Sequence, residues 1–183
     1  MFRALALVLA LILSMPAVAQ TLPPDPENTV VLETTKGRVV IRLHNDIAPN
    51  HAERIKLLAR EGFYDNVPFH RVIEGFMAQT GDGQNRNGTG GSKYPDLKQE
   101  FSKVPFTRGV VGMARASDPN SANSQFFIMF AETPSLDGKY TVVGYVTEGM
   151  DVVDQLKKGE KFRNGAVAEP DKIVKMTVQA AAK

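Results

Sequence analysis

One arginine set among aromatic residues constrains this chain more than any other feature. The run Phe69-His70-Arg71-Val72-Ile73-Glu74-Gly75-Phe76-Met77-Ala78-Gln79-Thr80-Gly81-Asp82 reads as two short strands joined at Glu74-Gly75. Strand side chains alternate between faces. Phe69, Arg71 and Ile73 are therefore expected on one side of the first strand, and Met77 and Gln79 together on one side of the second. A solvated arginine keeps polar neighbours. One set beside aromatics, a thioether and an amide calls for a function.

The rest of the chain supplies the elements around that run. Thr29 to Thr35, a two-residue turn at Lys36-Gly37, and Arg38 to Leu43 predict a hairpin. Its Val39, Ile41 and Leu43 share one face. Pro49 suits a first helical position; Ala52, Ile55 and Ala59 follow at helical spacing, and Gly62 ends the helix. Strands are expected over 67–73, 77–80, 109–113, 125–130, 141–146 and 173–178, and a short second helix carries Met150, Val153 and Leu156. Along 125–128, Gln125 and Phe127 share one face, and Phe126 and Ile128 the other. Eight short strands and two helices suit a closed antiparallel barrel, which removes exposed strand edges. Alternation alone does not select that topology.

Composition excludes several classes. Lys and Arg total 22 against 20 Asp and Glu, with no basic block, so no nucleic-acid face is expected. The chain has no cysteine, hence no disulfide, thiol nucleophile or Cys-based zinc site. Its three histidines, His44, His51 and His70, are poorly spaced for a metal. No serine lies in a nucleophile-elbow sequence, so His70 reads as a structural histidine rather than a general base. The glycine-rich stretch 81–91 lacks the third glycine of a dinucleotide fingerprint and the lysine of a phosphate-binding loop. It reads as an ordered loop whose glycines permit positive φ. At the N-terminus, Arg3, an apolar run from Ala4 to Met15, and Ala17-Val18-Ala19 read as a secretory signal peptide over residues 1–19. The run falls short of the roughly 20 residues that span a bilayer. Residues 20–28 then read as a flexible leader and 29–183 as one domain. The expected product is an exported monomer, periplasmic in a Gram-negative cell and without membrane attachment after cleavage.

The run at 69–82, with Met113-Ala114-Arg115-Ala116 and Ser124-Gln125-Phe126-Phe127-Ile128, resembles the signature of the cyclophilins, the peptidyl-prolyl cis–trans isomerases. The resemblance extends over roughly residues 29 to 178. It implies a closed eight-stranded antiparallel β-barrel capped by two α-helices. It also implies catalysis of rotation about X–Pro bonds in unfolded or folding polypeptides. Resonance sets that barrier at about 18–20 kcal/mol, and no bond is made or broken, so neither metal nor cofactor is required. On the resemblance, Arg71 donates to the prolyl nitrogen, and Gln79 and Gln125 hold the substrate backbone and orient Arg71. Phe76, Met77, Phe127 and Leu136 form the proline slot. Ala114, Arg115, Ala116, Gln125 and Tyr140 hold the substrate. Three positions depart from common family patterns: Arg115 stands where Asn is frequent, Tyr140 where many members have His, and Ser135 where tight cyclosporin binders carry Trp. Two other readings are a holdase that grips proline peptides with little turnover, and a barrel that binds a small ligand inside. Intact Arg71 argues against the first. Phe126, Ile128 and Phe130 filling the interior would argue against the second.

Overall fold

The computed structural model describes residues 25–179, so the signal-peptide reading lies outside the described residues. Nine strands, two α-helices and three one-turn 3-10 helices make up the described fold. β1 (Thr29–Thr34) and β2 (Gly37–Leu43) form the expected hairpin. Its two turn residues are Thr35 and Lys36, one position earlier than the sequence reading, with Thr34 opposite Gly37. Gly37 opens β2 at φ +136°, which a side chain rarely adopts.

α1 spans Pro49–Arg60, with proline at its first position as expected. Ala48, at the N-cap, offers no side-chain acceptor. The cap comes instead from a distant loop: the Glu100 carboxylate accepts from the backbone N–H groups of Asn50 and His51. That satisfies two orphan donors and sets a negative charge at the positive end of the helix.

The strand expected over 67–73 is split. β3 (Val67–Pro68) pairs with the last strand, β9 (Lys172–Val178), whereas β4 (Arg71–Ile73) pairs with β5 (Met77–Thr80). Pro68 has no N–H to continue a ladder. The break at Phe69-His70 also changes faces. Phe69 joins Val72 in the barrel interior, while Ile73 faces outward with Arg71. Phe69 and Arg71 are thus not on one side, as strict alternation had placed them.

With β6 (Val110–Met113), β7 (Phe126–Met129) and β8 (Val142–Glu148), the sheet order is β3-β9-β1-β2-β8-β6-β7-β5-β4. The expected eight-stranded closed barrel is therefore a curled sheet of nine strands. Its hydrogen-bonded ladder is open between β3 and β4, whose ends are joined by the chain through Phe69-His70 and by Thr80 Oγ1 of β5 donating to the Pro68 carbonyl. The short α2 (Met150–Asp154) buries Val153 against the interior.

Alternation along β7 holds as expected. Phe126 and Ile128, with Phe130 beyond the strand, enter the interior cluster beside Val30, Leu32 and Ile41. Phe127 and Met129 join a second cluster, outside, with Met77, Phe106, Val110 and Val142. The interior around Val30, Ile41, Val111, Phe126 and Met176 leaves no space for a water molecule, which disposes of an internal ligand site there.

Candidate active site

Three strand pairings lay out the site. Arg71 lies opposite Gln79 across β4 and β5, Gln79 opposite Phe127 across β5 and β7, and Phe127 opposite Gly112 across β7 and β6. These residues form one row across four strands, on the outer face. A Cβ on Gly112 would sit 2.4 Å from Phe127 Cζ and 2.6 Å from Phe106 Cε1, so both rings lie directly over the bare glycine backbone.

Above the row opens a slot of about 110 Å³, lined by Arg71, Phe76, Met77, Gln79, Ala114, Arg115, Phe127, Leu136 and Tyr140. Nine of the residues expected from the resemblance thus converge. Ala116 and Gln125 do not line this slot. They line an adjoining pocket of about 590 Å³ that shares Gln79, Ala114 and Arg115 with it. Ser135 is exposed on the one-turn helix Pro134–Leu136, next to Leu136. The floor is aromatic: Phe127 stacks on Phe106 at 5.8 Å, and Tyr140 meets Phe127 edge-on at 5.9 Å.

Arg71 is held on three sides. Its Nη1 donates to Gln79 Oε1 at 3.1 Å, and its Nε and Nη2 donate to the backbone oxygen and Oδ1 of Asn164, each at 3.0 Å. A guanidinium has five N–H donors, so one remains on each Nη. Burial lowers its pKa, and Tyr140 opposes that shift; an arginine still keeps its proton. Among the described residues no carboxylate lies within 4.0 Å of it.

Asn164 was missed by sequence reasoning. It closes the one-turn helix Lys161–Arg163 in the left-handed region at φ +54°, and so turns both oxygens toward Arg71. The Asn164-Gly165 pair was the local signal, since both residue types tolerate that conformation. Its closeness to Arg71, 93 residues earlier, had none.

The departures from the family pattern also have a geometry. The Arg115 guanidinium lies 4.4 Å from the Tyr140 ring centroid and donates to the backbone oxygens of Ala116, Ser117 and Lys139. It ties the Ala114–Ser117 turn to the segment carrying Tyr140. His70, next to Arg71, is buried with no hydrogen-bond partner on either ring nitrogen. Burial lowers its pKa, with the charge of Asp82 pulling the other way. His70 does not line the slot, and its Nε2 lies against Gly88. No group of three or more metal-ligating side chains occurs among the described residues.

Comparison with known proteins agrees with this geometry. Residues 29–178 match the family model "Cyclophilin type peptidyl-prolyl cis-trans isomerase/CLD". The chain is 56% identical to a Brucella suis protein named "Probable peptidyl-prolyl cis-trans isomerase", over 97% of this chain and 95% of that one. It is 40% identical to a peptidyl-prolyl cis-trans isomerase of Schizosaccharomyces pombe, over 80% of this chain and 96% of the relative. Among solved structures, a cyclophilin from Hirschia baltica superposes with a TM-score of 0.75 at 34% identity, covering 84% of this chain and 74% of that one. A Cryptosporidium parvum cyclophilin-type isomerase, crystallised in the presence of the dipeptide Ala-Pro, gives 0.76 at 26% identity, covering 84% and 99%. The chain is therefore a member of the cyclophilin-type peptidyl-prolyl cis–trans isomerase family and catalyses rotation about X–Pro peptide bonds.

Proposed function

We propose that Arg71 is the catalytic group of this isomerase, that Gln79 orients it, and that the slot over Phe127 receives the proline ring. The single observation that carries this reading is the anchored guanidinium with an unspent N–H on each Nη at the edge of an apolar slot. Twisting the X–Pro bond withdraws the nitrogen lone pair from the amide. A fixed donor gains a partner in that twisted state which the planar states do not offer, and differential stabilisation of this kind is what lowers a barrier. Phe76, Met77, Phe127 and Leu136 grip the ring while the preceding carbonyl turns. Ala114, Arg115, Ala116, Gln125 and Tyr140 hold the polypeptide on either side. The Cryptosporidium parvum isomerase crystallised in the presence of Ala-Pro supports proline as the occupant.

The experiment is Arg71→Ala, assayed without a coupling protease on X–Pro peptides. We expect a loss of at least about tenfold in kcat/KM, equivalent to about 1.4 kcal/mol, with an unchanged melting temperature. Arg71→Lys should also be impaired, because it cannot hold both Asn164 and Gln79 with a rigid fork. Full activity in Arg71→Ala would refute the assignment.

The natural substrates we infer are unfolded exported polypeptides, met by a monomer in the periplasm of a Gram-negative cell. Arg3, the apolar run Ala4 to Met15 and Ala17-Val18-Ala19 support that reading. Slow proline isomerisation limits folding wherever such chains emerge. Fractionation followed by N-terminal sequencing tests it: a chain beginning at Gln20 is expected outside the cytoplasm, and one retaining Met1 in the cytosol would overturn it.

A further inference from the structure

Asp82 lies outside the slot, yet its carboxylate is fully buried. It accepts four backbone N–H groups: Asn85 at 2.8 Å, Asn87 at 3.1 Å, Gly88 at 2.8 Å and Gly90 at 3.1 Å. A Cβ on Gly90 would come within 2.4 Å of Asp82 Oδ1, so the loop closes round the carboxylate as only a glycine permits. The four donors outweigh the burial cost and hold the carboxyl at a pKa of about 2.

Gly88 and Gly90 also act in the other direction. Both carbonyl oxygens accept from Gln125 Nε2, at 3.0 and 2.8 Å. A carboxamide facing two carbonyls must present its NH2 to them. Gln125 Oε1 is then left to accept from Gln79 Nε2 at 2.9 Å, and Gln79 Oε1 to accept from Arg71 Nη1 at 3.1 Å. Reversing either amide would set donor against donor. The polarity of the whole row is therefore dictated from the loop.

We propose that Asp82 is a positioning residue for the isomerase reaction: by fixing the Gly88 and Gly90 carbonyls it sets the amide polarity of Gln125 and Gln79, and through them the orientation of Arg71. This rests on the catalytic reading of Arg71 given above. Asn85, Asn87, Gly88 and Gly90 present only N–H groups to the carboxylate, so Asp82→Asn turns an amide donor against donors and loosens the loop.

The test measures kcat and KM separately on an X–Pro peptide, with the side-chain amide NMR signals of Gln79 and Gln125, in wild type and Asp82→Asn. The relay predicts a kcat lower by about fivefold or more with KM within about twofold, the pattern of an interaction made in the transition state. It also predicts shifted Gln79 and Gln125 signals. An unchanged kcat, or a raised KM with kcat held, would show that the loop only lines the adjoining pocket and would overturn the proposal. If Asp82→Asn does not fold, hydrogen exchange in the wild type decides. Gln125 carboxamide protons slowed by their two carbonyl partners support the relay, and exchange at the rate of a free amide refutes it. Arg71→Ala separates the two claims. Should it retain full activity, the catalytic reading fails, while the Gln79 signals in Asp82→Asn still report the relay itself.

Discussion

β7 carries two faces that burial alone does not tell apart. Phe126 is 1% exposed and Phe127 5%. Phe126 belongs to the interior cluster, with Tyr64 edge-on at 5.6 Å. Phe127 rests on the outer face, over Gly112, beneath the half-buried Phe76, Leu136 and Tyr140. The interior around Phe126, Val30, Ile41 and Met176 has no room for water, while the outer cluster ends in an open slot of about 110 Å³. Two adjacent residues of one kind, nearly equally buried, thus end in different surroundings: Phe126 in the interior and Phe127 at the slot proposed to receive proline. The face decides.

The largest test of that contrast is the pair Phe126→Ala and Phe127→Ala. In the interior the deletion leaves an enclosed void, and a buried Phe→Ala costs about 3–5 kcal/mol. At Phe127 the new space opens onto the slot, so the enclosed-cavity part of that cost is smaller. Urea denaturation should therefore rank Phe126→Ala as the more destabilised. Turnover per folded molecule should rank them the other way: kcat/KM within about twofold of wild type for Phe126→Ala and at least about tenfold lower for Phe127→Ala. Equal losses on both scales for both variants would erase the distinction.

A smaller effect comes from adding atoms rather than removing them. Ala at Gly112 places its Cβ within 2.4 Å of Phe127 and 2.6 Å of Phe106, both on the outer face. The rings have to tilt, and overpacking of this kind costs about 1–3 kcal/mol. Phe127 tilting into the slot should raise KM for X–Pro peptides more than it lowers kcat. Paired KM and melting-temperature measurements check this. A stability loss with an unaltered KM would show that the rings yield away from the slot.

How much of this was visible in the residues follows from range. Period-two alternation along Gln125–Ile128 assigned each side chain to its correct face, because strand geometry is local. Pro49 marked its helix start for the same reason. The split at Phe69-His70 was not visible: the pattern reads as one strand until β9 and β5 claim its two halves. Nor was the cap on α1, which Glu100 delivers from 50 residues away. The slot residues were legible through family resemblance, which compresses long-range geometry into a motif. Asn164 and Asp82 fell outside the positions that the resemblance assigned, so only the folded chain joins them to Arg71.

The smallest expected effect separates stability from turnover once more, through pH. His51 is fully buried on α1, its Nδ1 against Glu100, and His70 is buried beside Arg71. Burial lowers both pKa values, at His51 against the opposing pull of Glu100 and at His70 against that of Asp82. Below the ordinary histidine value of about 6.5, the unfolded chain binds protons that the folded chain refuses. Stability therefore rises with pH in that window, is fully present above it, and is lost as pH falls through the depressed folded values. Asp82, with its pKa of about 2, and Glu100, also lowered, add a second loss of the same sign at more acidic pH, below the usual carboxylate range. Melting temperature should thus be level from about pH 7 to 8 and drop between about pH 6.5 and 5, by about 2–4 °C for each kcal/mol lost. Turnover per folded molecule should stay flat from about pH 6 to 8, because no proton moves in the reaction and Arg71 does not titrate there. A melting temperature unchanged down to pH 5 would mean that neither imidazole is held neutral. A sigmoidal change in kcat near pH 6.5 would bring His70 into the chemistry and end its assignment as a structural residue.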